Sequence, residues 1–281
     1  MVKPDGTVAA WGSNFLGQCT VPAGLTGVKA VGAGLFFSVA LKSGGTVAAW
    51  GSNASGECNV PGDLTGIVAI SAGAGHVLAL KSDGTVAAWG HNLYGQSTVS
   101  WSLSGVVAVA AGGFHSLALK SDGTVVAWGY NTSGQCDVPA SLTGVVAVAA
   151  GSDHSLALKS DGTVVAWGLN NYDQGGVPTN LDGVAAISAG SYHNLALKSN
   201  GTVTAWGRND DYQCNVPGGL TGVVAVEGGD AHSLGLKADG ILAAWGTNYF
   251  GQCTVPAGLN LKLKFMVPNK GIPSILYLLL E

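Results

Sequence analysis

Residues His154–Gly168 read HSLALKSDGTVVAWG, and this stretch decides the fold. Apolar residues alternate on both sides of Ser160-Asp161-Gly162, the pattern of two antiparallel strands joined by a tight turn. Asp-Gly supplies the positive backbone φ that such a turn needs. The stretch recurs along the chain. Its copies end at Trp11, Trp50, Trp89, Trp128, Trp167, Trp206 and Trp245, each 39 residues from the next with no insertion. A strand-and-turn repeat of this kind predicts an array of small sheets, because no single unit can bury its own apolar faces. Seven copies predict a ring: an all-β, seven-bladed β-propeller spanning 1–281 as one domain.

In the unit Val145–Gly183, the first strand is VVAVAA, and a short variable loop at Ser152-Asp153 leads to the second, HSLALK. The SDG turn returns the chain as a third strand, TVVAWG. A second variable loop, LNNYD, precedes a short fourth strand expected at QGGV, and PTNLDG links to the next unit. Full copies begin at Val28, Ile67, Val106, Val145, Val184 and Val223. Residues 1–27 carry only the later part of a unit. In the tail, Leu261, Leu263, Phe265 and Val267 alternate like a strand, and Ser274–Leu280 (SILYLLL) reads as another. Residues 1–27 and the 258–281 tail are therefore expected to share the closing blade by pairing N-terminal with C-terminal strands. The tail lacks the Gly-x-x-His and LALK of the other units. Because the chain opens inside a unit, the expectation is either a fragment of a longer precursor or a ring completed by the other end.

Composition narrows the function. Hydrophobic residues make up 47% of the chain and charged residues 10%, ample for a core. The 45 glycines fall in phase with the repeat and mark turns rather than a disordered tract. A formal net charge of −4 argues against nucleic acid or an anionic membrane as partner, since both need a basic patch. No apolar run approaches the roughly 18 residues of a transmembrane helix. The opening MVKPDGTVAAWG enters the repeat at once and does not read as a signal peptide.

The phrase AAGSDHSLALKSDGTVVAWGLNNYDQ, Ala149–Gln174, resembles the repeat of the regulator of chromosome condensation family, and the likeness runs over about residues 1–257. It implies a seven-bladed propeller. The linkers VPAGLTG and their variants (Val21–Gly27, Val60–Gly66, Val138–Gly144) look most like bacterial short-repeat members, of which propeller-type β-lactamase inhibitors are one kind. A β-lactamase-like enzyme is thus one partner class that the resemblance implies, and an extracellular or cell-surface location in bacteria another expectation. The family's eukaryotic founder exchanges nucleotide on a small GTPase and binds chromatin. Nothing here resembles its extra wedge or basic tail, so that activity is not carried over.

Candidate chemistry is sparse. His76, His115, His154, His193 and His232 share one repeat position, with Phe37 in another unit. Phe cannot ligate and metal ligands must converge within a few ångströms, so a buried histidine bonding the backbone of its own Gly-x-x loop is the better reading, and no metal or cofactor is expected. Ser116, Ser155 and Ser233 follow such histidines, but neighbours on a strand face opposite ways and are not poised for proton transfer. Neither Gly-x-Ser-x-Gly, a P-loop nor HExxH occurs. No catalytic residue is assigned, and the chain is read as a non-enzyme. Cys19, Cys58, Cys136, Cys214 and Cys253 also share one phase; an odd number at the repeat spacing reads as reduced, half-buried thiols.

The aromatic residues carry the functional reading. Strands alternate up and down, so the loops after the first and third strands emerge on one face, and the SDG turns and linkers on the other. Ten of the thirteen Tyr and Phe lie in those variable loops. Folding alone would favour strands for them. The candidate partner-binding residues are Phe15, Phe36, Tyr94, Phe114, Tyr130, Asp153, Tyr172, Tyr192, Asp211, Tyr212, Asp230, Tyr249 and Phe250, with Asp173 and Asp210 nearby. Rigidly held aromatics of this kind serve protein recognition. The function expected is non-catalytic binding of a protein partner by a monomer, with carbohydrate binding or a structural repeat unit of a larger bacterial surface protein as alternatives. Trp101, in the linker TVSWSLSG, belongs to the opposite face and reads as local packing or a secondary contact.

Overall fold

The computed structural model describes residues 1–259 and 261. Six antiparallel sheets of three strands each follow in chain order. They comprise β1 (Val28–Ala33), β2 (Phe37–Lys42) and β3 (Val47–Gly51); then β4 (Ile67–Ala72), β5 (His76–Lys81) and β6 (Val86–Gly90). The third and fourth are β7 (Val106–Ala111), β8 (His115–Lys120) and β9 (Val125–Gly129); then β10 (Val145–Ala150), β11 (His154–Lys159) and β12 (Val164–Gly168). The last two are β13 (Val184–Ala189), β14 (His193–Lys198) and β15 (Val203–Gly207); then β16 (Val223–Gly228), β17 (His232–Lys237) and β18 (Leu242–Gly246).

The middle strand of each sheet is the most buried, because it is covered on both faces by neighbouring sheets. The first strands, β1, β4, β7, β10, β13 and β16, line a common central channel. In the hairpin of the fourth sheet, Leu156 faces Ala166 and Leu158 faces Val164. Its turn has one residue with positive φ, Gly162 at 83°, and Asp161 Oδ1 accepts the Thr163 N–H to hold the bend. The cores lie between sheets rather than within them. Leu117, Leu119 and Ala110 of the third sheet pack with Val145, Ala157 and Trp167 of the fourth. This is the repeat-to-repeat burial that an isolated unit lacks.

The structure corrects the blade count: among the described residues the fold is propeller-like with six three-stranded sheets, spanning 28–252, not seven blades. Residues 1–27 enter the repeat too late to bring a first strand or a complete second one. They form a single isolated bridge, Val2 with Val8, and no sheet. They act as filler. Met1 and Trp11 pack against Leu234, Leu236 and Leu242 of the last sheet, while Val2, Val8, Val21 and Leu25 pack against the first. Trp11 Nε1 donates to the Gln252 carbonyl at 3.0 Å, which ties the chain's beginning to its last repeat. The closing strands expected in 258–281 fall almost wholly outside the described residues.

The expected fourth strand is also absent from the described units. At Gln174–Val177, Gly175 N–H donates to Asn170 Oδ1, Gly176 N–H to the Asp173 carbonyl and Val177 N–H to the Gly175 carbonyl. Local turns have taken the donors that a ladder would use.

Candidate functional site

Main-chain bonds fix which loops share a face. The residue after each third strand donates to the residue before the second: Ser52 to Phe36, Tyr130 to Phe114, Leu169 to Asp153, Arg208 to Tyr192. At the other ends of the strands, the hairpin turn bonds the linker, as Ser121 does to Gly105 and Ser160 to Gly144. The variable loops thus lie together on one side, and the uniform turns and linkers on the other.

Three groups of rings form on the variable side. Phe15 and Phe250 meet edge-to-face at 5.4 Å, joining the N-terminal segment to the last repeat, with Tyr249 beside them 86% exposed. Tyr94 lies 5.6 Å from Phe114 and 4.7 Å from Tyr130, and His91 packs on Phe114 at 5.5 Å. Tyr172 and Tyr192 lie 5.5 Å apart, with the Arg208 guanidinium 5.5 Å over the Tyr172 ring. Arg208 also pairs with Asp210 at 2.9 Å and with Asp211 at 3.8 Å. Asp153 accepts from Gln135 Nε2, and its burial raises its pKa above the ordinary carboxylate value. Burial, together with Asp153 and Asp230, raises that of Tyr192. Phe36 and Tyr212 are exposed without a ring partner among the described contacts, and Asp230 is exposed.

Tyr212 adopts φ +64°, a left-handed conformation. The equivalent residues are Gly17, Gly56, Gly95, Gly134 and Gly251, with Asp173 in the remaining unit at +61°. A bulky side chain there carries backbone strain. Tyr212 is nonetheless 69% exposed and packs no core.

Several residues escaped the sequence reading. His91 and Arg208 share a repeat phase with Tyr130, and that phase was the available signal. Leu16, Leu35 and Leu93 add exposed aliphatic surface on the same loops. Most telling is the recurrent Gln18, Glu57, Gln96, Gln135, Gln174 and Gln213. The side-chain oxygen accepts a loop N–H two residues back, as from Tyr94 to Gln96 and Tyr172 to Gln174. The main-chain carbonyl of Gln96 receives both Ser116 Oγ and Trp128 Nε1 from the next sheet. These residues position the variable loops on the frame.

The histidines bond across sheets, which corrects the expected bond to their own loops. His76 Nε2 meets Ser116 Oγ at 2.9 Å, His115 meets Ser155, His154 meets Asn194 Oδ1, and His193 meets Ser233. Each of those serines donates its own proton to a glutamine carbonyl, so the imidazole is the donor through Nε2 and Nδ1 is left without a partner. The reason for Gly-x-x-His is steric: a Cβ at Gly151 would stand 2.1 Å from the His154 ring. Desolvation pushes His76 and His154 down to about 4, and His115 and His193 to about 3. A serine that has committed its proton to the backbone in a solvent-free seam is no nucleophile. Phe37 takes the histidine position in the first sheet and Val77 the serine position facing it, and both are core residues.

The cysteines are half-buried, and each thiol points at a carbonyl six residues earlier, as Cys136 does at Tyr130. Ser97 makes the same contact to His91. Among the described residues no cluster of His, Cys, Asp or Glu is arranged to hold a metal. Trp101 is 98% exposed, which overturns local packing as its role.

Six segments, 28–57, 67–96, 106–135, 145–174, 184–213 and 223–252, match the regulator of chromosome condensation (RCC1) repeat. No curated protein sequence matches this chain. Among solved structures, Prp20p from Saccharomyces cerevisiae, described with its binding to Gsp1p and histones, is similar at 20% identity and TM-score 0.76, over 89% of this chain and 83% of that one. The same yeast protein bound to Kap60 gives 20% identity and TM-score 0.75, covering 90% and 81%. The CRINKLY WD40 ectodomain of the Arabidopsis thaliana receptor kinase ACR4 gives 21% and 0.71, covering 88% and 90%.

Proposed function

The chain belongs to the regulator of chromosome condensation repeat family, and we propose that it is a non-catalytic protein-binding module whose variable loops form the recognition face. One observation carries this reading: Tyr212 keeps a large exposed ring at a backbone position where other units use glycine. That ring belongs to none of the core clusters among the described residues. A strained, largely exposed ring outside the core is accounted for by what it touches outside the chain. Tyr249 and Phe15, also largely exposed, extend the same surface. The frame beneath is rigid, so docking immobilises little new chain.

The partner is a protein offering apolar pockets for these rings and basic or donor groups for Asp153, Asp211 and Asp230. The net charge of −4 and these aspartates disfavour nucleic acid. The partners described for the yeast relatives, Gsp1p, histones and Kap60, are likewise proteins. The module acts as a monomer, and a β-lactamase-like enzyme belongs among the partners to be tried.

The test is affinity capture with three baits: the wild-type chain, Tyr212→Gly and Tyr249→Ala. A protein retained by the wild type and weakened by more than about 1 kcal/mol in either variant is the expected outcome. The same proteins held equally by all three baits would refute the assignment. Ligands found only among glycans would assign the face to carbohydrate.

A further inference from the structure

The channel enclosed by the six inner strands has a volume of about 250 Å³. Ala, Val and Ile make up most of the residues that line it, Ile70, Ala111, Val148 and Ala189 among them, with main-chain polar groups exposed between them. Ser71 and Ser188 also face it, and their hydroxyl oxygens accept main-chain N–H groups from Ala111 and Gly228. One carboxyl group enters, that of Glu227 near the end of β16. The equivalent residues are Gly32, Ser71, Ala110, Ala149 and Ser188, so the repeat does not demand an acid there. Glu227 has no ion-pair or hydrogen-bonding partner among the described contacts. Glu227 is half-buried and lines the channel. Burial raises its pKa to about 8. No other lining residue is titratable: β1, β4, β7, β10 and β13 contribute only Ala, Val, Ile and Ser.

We infer that the channel is a binding site for a primary ammonium group carried on a short apolar stem, with Glu227 as its counter-ion. The stem lies along the aliphatic wall and the ammonium meets the carboxylate. A bare metal ion would find one carboxylate and two hydroxyls already engaged, too few oxygens for a hard cation. Glu227 sits toward the mouth on the variable-loop side, since β16 runs from the linker face to the loop that bears Asp230. The ammonium therefore comes either from a free amine or from a lysine side chain reaching in from above. Pairing needs the carboxylate, so a Glu227 that is protonated in the empty channel gives up its proton to solvent as the cation enters.

The test titrates the full chain with n-butylammonium chloride, following the methyl resonances of Ala72, Ala111 and Ala150 against sodium chloride at equal ionic strength. Saturable shifts are expected with the amine, at least tenfold weaker in Glu227→Gln. Calorimetry at pH 7 in two buffers of different ionisation heat should register proton release in the wild type, which decides the matter even if the variant does not fold. A second arm uses acetyl-Gly-Lys-Gly-amide: binding of both probes assigns a lysine side chain, and binding of butylammonium alone assigns a small free amine. Equal shifts in Glu227→Gln, the same shifts with sodium, no saturation, or no proton release would each overturn the proposal.

Discussion

Tyr212 can be separated from its surroundings more cleanly than any other loop residue, because the repeat supplies its own control. Gly251 and Gly134 hold the same backbone position without strain. Tyr212→Gly should therefore raise the free energy of unfolding by about 1 kcal/mol while removing a binding ring. A urea titration checks it, and a loss of stability would show that the ring packs something in the folded chain. That this residue belongs to the variable loops was legible from the sequence. Its strain was not, because positive φ at this position becomes visible only when the glycines of the other units are laid against it. Trp101 is the opposite case: a large residue in an otherwise uniform linker suggested packing, and its exposure leaves it with none.

At the scale of strands and sheets, the seam between neighbouring sheets explains what the sequence hid. The first, second and third strands could be read from alternation around each SDG turn. The fourth could not, because Asn170 and Asp173 take the backbone donors of Gly175 and Gly176. The glutamine carbonyl that receives Trp and Ser from the next sheet joins residues 20 and 32 apart, contacts that no local pattern displays. The Phe37 and Val77 pair shows that the polar seam has an apolar equivalent. Ser116→Val alone leaves His76 Nε2–H and one acceptor position of Gln96 unmet, at a cost of about 1–3 kcal/mol. His76→Phe together with Ser116→Val copies the first junction. The double variant should be more stable than the sum of the single changes predicts, by at least 0.5 kcal/mol on the order expected for residues in contact. Additive losses in a double-mutant cycle would dismiss the seam as a unit.

For the whole molecule, the count of seven tryptophans overstated the number of sheets because each marks only a third strand. Trp11 has such a position without the strands before it, and it serves closure through Gln252 instead. Stability should depend on acid through the seams. Four histidines held neutral well below 6.5 bind protons more readily when unfolded, so their contribution is complete above about pH 6.5 and is lost as pH falls toward 4 and 3. Glu227, raised instead, opposes them with a single group between about 8 and its ordinary range. The midpoint of urea unfolding should fall steadily from pH 7 to pH 5; a constant midpoint would contradict buried neutral imidazoles.

The central claim, that one side of the disc is a protein-recognition face, is tested most directly by photo-crosslinking. A benzophenone amino acid is placed at Tyr212 or Tyr249 on the variable side and at Asp161 or Trp101 on the other, and the variants are irradiated in lysate and culture medium. The prediction is a discrete protein adduct from Tyr212 and Tyr249 and none from Asp161 and Trp101. Adducts formed only from the turn-and-linker side, or equally from both, would contradict it.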